Sequence, residues 1–495
     1  MKLDTSTDPQ VGFRPAGSLD IVTALDRYEG PFSTRQAAHV LRRAGFGGTA
    51  ADVEALRALG AEGAIDRLLH PSDPDIEFAA YPDPKLLGDP KTRNDAAENW
   101  WLDRMLRTRH PLFEKMTLFW HGHFATSLRK APANLMVAQI DLLRGRALGN
   151  FGSLLLAVSK DPAMLVWLDN RYNNKSHPNE NYAREVMELF ALGLGNYTED
   201  DVKNAARAFT GWTLDASLNF LYKPAAHDDG PKTFLGRTGN FTGEDIIATI
   251  VEQPIHQRFI CRKLLEFFVY SDPEPELVEA LAQKYALCGA DIGQTVGTLL
   301  RSNVFFSARA YRAIPKSPVE FTIGLLRFMG VASVPPDTIG WLRRMGQEPM
   351  APPSVKGWDG GPTWINTATL LTRFNYVNRI VKSAPPQAVP STAASATMAP
   401  AMMTAAAAAQ AAVFPTLTPS EIVRRAGGLD ADRVLATIEG IAVQDDLTSD
   451  VRSQLRDYLQ STGATVPVPF GPENYEEKIR GALALTLNLP SNQLN

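Results

Sequence analysis

Cysteine is nearly missing from this chain. Cys261 and Cys288 are the only two in 495 residues, and both stand in apolar helical stretches. No C-x-x-C pair occurs, which excludes a disulfide framework and leaves two buried free thiols as the expectation. Net charge is scarce too. The 50 Lys and Arg nearly balance the 54 Asp and Glu, for a formal −4, so there is no global field to draw in nucleic acid or an anionic membrane. No run is long and apolar enough to span a bilayer. The Ala-rich stretch from Met398 to Val413 is interrupted by Pro400, Thr404 and Gln410, and alanine is too weakly apolar to drive insertion. The opening residues meet Pro9, Gly12 and Pro15 early and hold no signal-peptide core. As written, the sequence is expected to stay in the cytoplasm, with export only if the start lies elsewhere. A Walker phosphate loop, H-E-x-x-H, G-x-S-x-G and an EF-hand loop are all absent. The G-F-G-G at Gly45–Gly48 follows a helix, not a strand, so it is no dinucleotide fingerprint.

What is present is apolar material in helical period. Hydrophobic residues make up 44% of the chain, ample for a large core. Ser33 or Thr34 can cap a first helix that Gly45 ends, and Thr49 a second. Helical period returns from Asn94 to Leu156 and over 176–212. It resumes at Gly243–Val251, Gln257–Val269, Glu276–Cys288 and Pro318–Phe328, and again after Asn366. Residues 213–243 lose that period. Phe220, Tyr222 and Phe234 flank an Asp-Asp-Gly turn there, the pattern of one small β-hairpin. The fold class is mainly α, a large multi-helical domain with a small β-hairpin insertion. Residues 1–30 read as an irregular N-terminal arm and 31–383 as the main helical domain. An Ala/Pro-rich low-complexity linker follows at 384–416, then a C-terminal helical module at 417–495 packing on the main domain.

Four segments carry chemistry. On a helix from Asn181 to Leu192, the residues Asn181, Arg184, Glu185 and Glu188 fall at i, i+3, i+4 and i+7 and share a polar stripe. It is either a solvated face or a set of acid, base and binding groups. Asp169, Asn170, Asn173, Asn174, Pro178 and Asn179 crowd its start and can fix a loop through side chain–backbone hydrogen bonds. The helix after it opens on Thr198 with Asp201 three residues on, a capping-box pattern, and carries Arg207 near its end. In F-W-H-G-H-F, His121 and His123 diverge by about 200° on a helix. They form a chelating pair only if the helix opens near Gly122; otherwise His123 is a core residue and His121 caps a helix end. H-D-D-G-P-K, from His227, is an ordinary turn, or else His227 and Asp228 complete a metal or acid–base site beside Lys232. P-P-S-V-K-G-W-D-G-G-P-T-W, from Pro352, sets Trp358 and Trp364 in a loop that either shapes a pocket for a flat ligand or sugar or serves as a packed structural loop.

These motifs, in this order, resemble the bacterial family called domain of unknown function 1800. The matching pieces also include H-V-L-R-R-A-G-F-G near residue 39, N-E-N-Y-A-R-E-V-M-E-L-F-A-L-G at 179, K-S-P-V-E-F at 316 and T-W-I-N-T at 363. The resemblance spans roughly residues 34 to 490. It implies one large helical unit, and His121, His123, Arg184, Glu185, Glu188, His227 and Asp228 match the family's polar positions. It also implies export, which this N-terminus does not show, and a sulfatase-like companion encoded nearby.

Together these residues suggest a metal-dependent hydrolase. His121, His123, His227 and Asp228 would hold a divalent ion, which lowers the pKa of a bound water and makes it a nucleophile. Glu185, Glu188 and Arg184 would act on the substrate, with Asn181, Arg207, Lys232, Trp358 and Trp364 binding it. The alternative is a non-catalytic binding or assembly protein partnering the sulfatase-like companion.

Overall fold

Helix caps punctuate this chain. The computed structural model describes residues 20–383, 415–444, 446–460 and 470–495. Ser33 and Gln36 form a capping box that opens α1 (Thr34–Arg43), and Thr49 with Asp52 opens α2 (Ala50–Ala58). Next come α3 (Gly60–Leu69), α4 (Pro90–Arg107), α5 (Pro111–His123), α6 (Ala133–Gly145), α7 (Phe151–Ser159) and α8 (Pro162–Trp167). Proline stands in the first turn of α4, α5 and α8, where its missing N–H costs nothing.

The stretch expected as one helix from Asn181 to Leu192 divides. It begins as α9 (Glu180–Glu185) and continues as a π-helix over Val186–Ala191. Thr198 and Asp201 then form the capping box of α10 (Glu199–Ala208).

Two hairpins stand where the sequence suggested one. β1 (Trp212–Leu214) pairs antiparallel with β2 (Phe220–Tyr222), and β3 (Lys232–Phe234) with β4 (Arg237–Gly239). The second turns through Leu235 and Gly236, both at positive φ (45° and 79°), the demand of a type I′ turn. Leu-Gly is not the usual signal for that turn, so the sequence concealed it. The Asp-Asp-Gly turn lies between the hairpins.

The chain continues through α11 (Gly243–Val251), α12 (Pro254–Phe268), α13 (Pro275–Leu287), α14 (Ile292–Leu300), α15 (Pro318–Phe328), α16 (Thr338–Met345) and α17 (Thr367–Lys382). Among the described residues four helices follow: α18 (Pro419–Ala426), α19 (Ala431–Ala442), α20 (Ser449–Gln460) and α21 (Tyr475–Leu487). They touch the preceding body where α21 packs on α17, and Arg480 donates to the Val381 carbonyl at 2.6 Å. Residues 1–19 of the expected arm and 384–414 of the expected linker, including the Ala-rich stretch, lie outside the described residues.

One continuous core runs through these helices. α5 is central to it. Trp120 is fully enclosed and donates its Nε1–H to the Ala147 carbonyl at 2.9 Å, so a large apolar ring is buried with its one polar atom satisfied. Cys261 is buried as expected. Cys288 is only half-buried, because it caps the end of α13, where its Sγ donates to the Tyr285 carbonyl at 3.3 Å. Among the described residues no helix is long and apolar enough to cross a membrane.

Candidate functional site

The asparagine-rich segment before α9 is a self-bonded loop. Asn173 Nδ2 donates to the Ala206 carbonyl at 2.9 Å, and Asn173 Oδ1 accepts from the Asn179 amide at 2.9 Å. Asn179 caps α9 and donates back to the Asp169 carbonyl at 3.2 Å. Beyond it the polar stripe is dispersed. Arg184 forks onto Glu199 at 2.7 and 2.8 Å and reaches Glu180 at 3.3 Å. Glu188 accepts from the Tyr197 hydroxyl at 2.8 Å, and Asn181 is exposed. Glu185 is half-buried, and its carboxyl is pushed up by burial and then by Glu188.

The π-helix gives the histidines work. A π segment interrupts the usual carbonyl pairing, and here two carbonyls at its end accept from side chains of other helices. His123 Nε2 donates to the Phe190 carbonyl at 2.9 Å, and His256 Nδ1 to that of Ala191 at 3.3 Å. α5 stays helical through Gly122 to His123, so the chelating geometry that required an opening there does not form. His121 projects elsewhere. It is fully enclosed, edge-on to Trp101 at 5.2 Å and Trp358 at 5.8 Å, and neither ring nitrogen has a hydrogen-bond partner. Burial holds its pKa down at about 3.

His227 and Asp228 belong to another neighbourhood. His227 Nδ1 donates to the Thr210 carbonyl at 2.9 Å. Arg207 clamps Asp228 from Nε at 2.7 Å and Nη2 at 3.2 Å, which holds that carboxyl below its ordinary value. Lys232 is buried and donates to the carbonyls of Asp228 and Gly230. This set locks the turn onto the end of α10. Among the described residues no three His, Cys, Asp or Glu side chains gather as a metal-binding group.

What the fold does bring together is a cleft of about 450 Å³. α5 lines it with Gly122 and His123, and the 346–364 loop with Trp358 and Trp364. Lys263 and Glu266 of α12 complete one wall. Gly357 seats the loop. It holds φ +85°, and a Cβ there would meet the Gly122 carbonyl oxygen at 2.4 Å. Gly357→Ala is therefore expected to destabilise the fold by at least about 2 kcal/mol, from left-handed strain plus the clash. Urea unfolding measures it, and an unchanged midpoint would mean the loop is not docked this way.

Lys263 and Glu266 escaped the sequence reading. Lys263 forms no ion pair with any described residue and lies 5.1 Å from the Phe259 ring centre. Burial pushes its amine below the ordinary range, with Lys356 adding to the effect against Glu266. Burial pushes Glu266 up, against Lys263 and Arg262. A signal was there: Phe259, Lys263, Glu266 and Phe267 fall at i, i+4, i+7 and i+8, two charges inside an aromatic stripe.

A family model matches residues 39–494 of this sequence. The chain belongs to DUF1800, a family described as proteins of unknown function. No curated protein and no solved structure matches it. In this DUF1800 chain the cleft draws on three of the segments that carried the resemblance: F-W-H-G-H-F, K-S-P-V-E-F through Ser317 and Glu320, and the tryptophan loop.

Proposed function

We propose that this DUF1800 protein is a ligand-binding protein whose cleft takes a carbohydrate. The observation that carries the reading is the pairing of Trp358 and Trp364 with a polar set of mixed sign in one cleft, Lys263 and Lys356 with Glu266 and Asp359. A sugar ring presents an apolar face that stacks on indole. Its hydroxyls both donate and accept, which suits ammonium and carboxylate groups side by side.

Trp358 is half-buried, so its truncation reports on binding more than on folding. Screening a glycan array and following the hits by tryptophan fluorescence is the test. Trp358→Ala is expected to weaken binding at least tenfold, or about 1.4 kcal/mol. Hits whose affinity is untouched by Trp358→Ala and Lys263→Met would remove the cleft from consideration.

A catalytic reading has one observation behind it. Lys263 is pushed down and Glu266 up, a convergence that favours proton exchange between an acid and a base. Loss of turnover in Glu266→Gln with binding retained would support it. The metal-dependent hydrolase draws no support from this geometry, because the four expected ligands do not converge among the described residues.

A further inference from the structure

A second cavity lies away from the tryptophans, where α1 and α15 meet α19 and α21. The side-chain charges of the described residues around it do not balance. Lys115 and Glu320 form a buried ion pair, and Asp446 takes Arg35 at 2.7 Å and Arg312 at 3.1 Å. Four further cations, Arg42, Arg43, Lys316 and Arg373, form no ion pair with any described residue. Their partners are neutral. Arg43 donates to the carbonyls of Val269 and Ala310. Arg373 donates to the Lys316 carbonyl at 2.8 Å and to Gln493 Oε1 at 3.3 Å. Lys316 reaches the Asn492 carbonyl at 2.9 Å, and Arg42 Nη1 reaches Gln444 Oε1 at 2.7 Å, with the Tyr311 side chain also interacting with Arg42.

Arg43 and Arg373 are almost wholly enclosed, while Arg42 and Lys316 keep part of their surface accessible. Donors are left over. Arg42 Nε and Nη2 are buried without a hydrogen-bond partner, as are Arg43 Nε and Nη1 and Arg373 Nε. A guanidinium cannot shed its proton to escape the cost of burial, so an uncompensated set of this kind calls for a counter-ion.

The cavity offers the space. It measures about 90 Å³ and is lined by Arg42, Lys316, Gln444 and Asn492, with Gly47 and Gly48. That is several times the roughly 10–15 Å³ a water requires. Glu320 also lines it, but its carboxylate is already held by Lys115, by the Ser317 amide at 2.8 Å and by Asn495 Nδ2 at 3.0 Å. The open donors of Arg42, Nε and Nη2, form one edge of the guanidinium, the edge that grips two oxygens of one anion.

We propose that this cavity binds a small tetrahedral oxyanion, held by Arg42 and Lys316, which ties α1 and α15 to α19 and α21. Burial and the charges of Arg42, Arg312 and Arg373 push the Lys316 amine well below its ordinary range. A bound anion opposes that shift and keeps the ammonium charged. The site shares Glu320 with the sugar cleft, but Arg42 and Lys316 lie outside that cleft, so it stands or falls independently of that reading.

The test is thermal unfolding of the full chain in inorganic phosphate, with sulfate as a second arm and sodium chloride at matched ionic strength as the control. With a Kd near 0.1 mM, 10 mM phosphate is expected to raise Tm by about 3 °C. The rise should vanish in Arg42→Met and in Lys316→Met. Equal shifts from sulfate and phosphate support a general oxyanion site, and a shift from phosphate alone supports a phosphate site. No rise above the chloride control overturns the proposal, as does a rise that survives in both variants. Should Arg42→Met fail to fold, calorimetric titration of phosphate into wild type and Lys316→Met decides the matter, and equal binding by the two overturns it.

Discussion

Glu320→Gln is expected to cost about 3–5 kcal/mol of stability, the usual result of stripping one partner from a buried ion pair. The reasons are particular to its surroundings. Burial raises the Glu320 carboxyl, but the Lys115 ammonium and the Ser317 cap more than reverse this, so it stays ionised. Its charge also acts on Arg43, Lys316 and Arg373. Glutamine would keep the shape and leave those cations facing one another. Lys115→Met should cost less, because Glu320 would still face three cations and still accept from the Ser317 amide. Urea unfolding of both variants measures the ordering. Equal losses would mean that only the Lys115–Glu320 contact matters and that the wider cationic cluster is already neutralised.

Acidification is expected to destabilise the protein well before its ordinary carboxylates titrate. His39, His121, His123 and His256 are all pushed down, with burial the largest cause in each; His121 stands at about 3 and His256 at about 4. Unfolding returns each to its ordinary 6.5, so below that pH the unfolded chain takes up protons that the native chain refuses. Their contribution is therefore complete above pH 6.5 and is lost as pH falls from there toward 4 and 3. Glu98, held up at about 9, and Asp161, at about 7, act oppositely, because the native state keeps their protons. Four histidines, half-protonated in the unfolded chain at pH 6.5, against two carboxyls leave a net loss of roughly 3 kcal/mol between pH 6.5 and 5. His121→Phe isolates one of the four, since neither ring nitrogen makes a hydrogen bond that phenylalanine would forfeit. Phenylalanine is bulkier, so the readout is the slope. It should flatten by about 1.4 kcal/mol per pH unit between pH 6 and 4. An unchanged slope would show that His121 is protonated in the fold.

Much of the helical framework was legible because it is local. Gly243–Val251 and Pro318–Phe328 could be read residue for residue, and the caps at Thr49 and Asn366 and the box at Thr198 could be seen in the letters. A cap is a side chain bonding to backbone three residues on, so nothing distant need be known. The same reasoning stopped short at Val186, where an apolar stripe that suits an α-helix became a π-helix. Its end is completed by His123 and His256, 67 and 65 residues away in the chain.

Composition and periodicity alone determined that this is a mainly helical chain with a large core, and the order of its motifs determined its family. Only the tertiary structure decided what each polar residue does. His121 and His123 look equivalent in the letters, yet two positions along a helix turn them to opposite surroundings. One lies between tryptophans with its nitrogens idle, and the other completes the π-helix. Trp358 gained a cleft because Gly357 rests on the carbonyl of Gly122. Lys263 joined it from a helix that no motif had marked. Burial and partner choice depend on which distant segments arrive at a residue, and that information is not held within any window of the sequence.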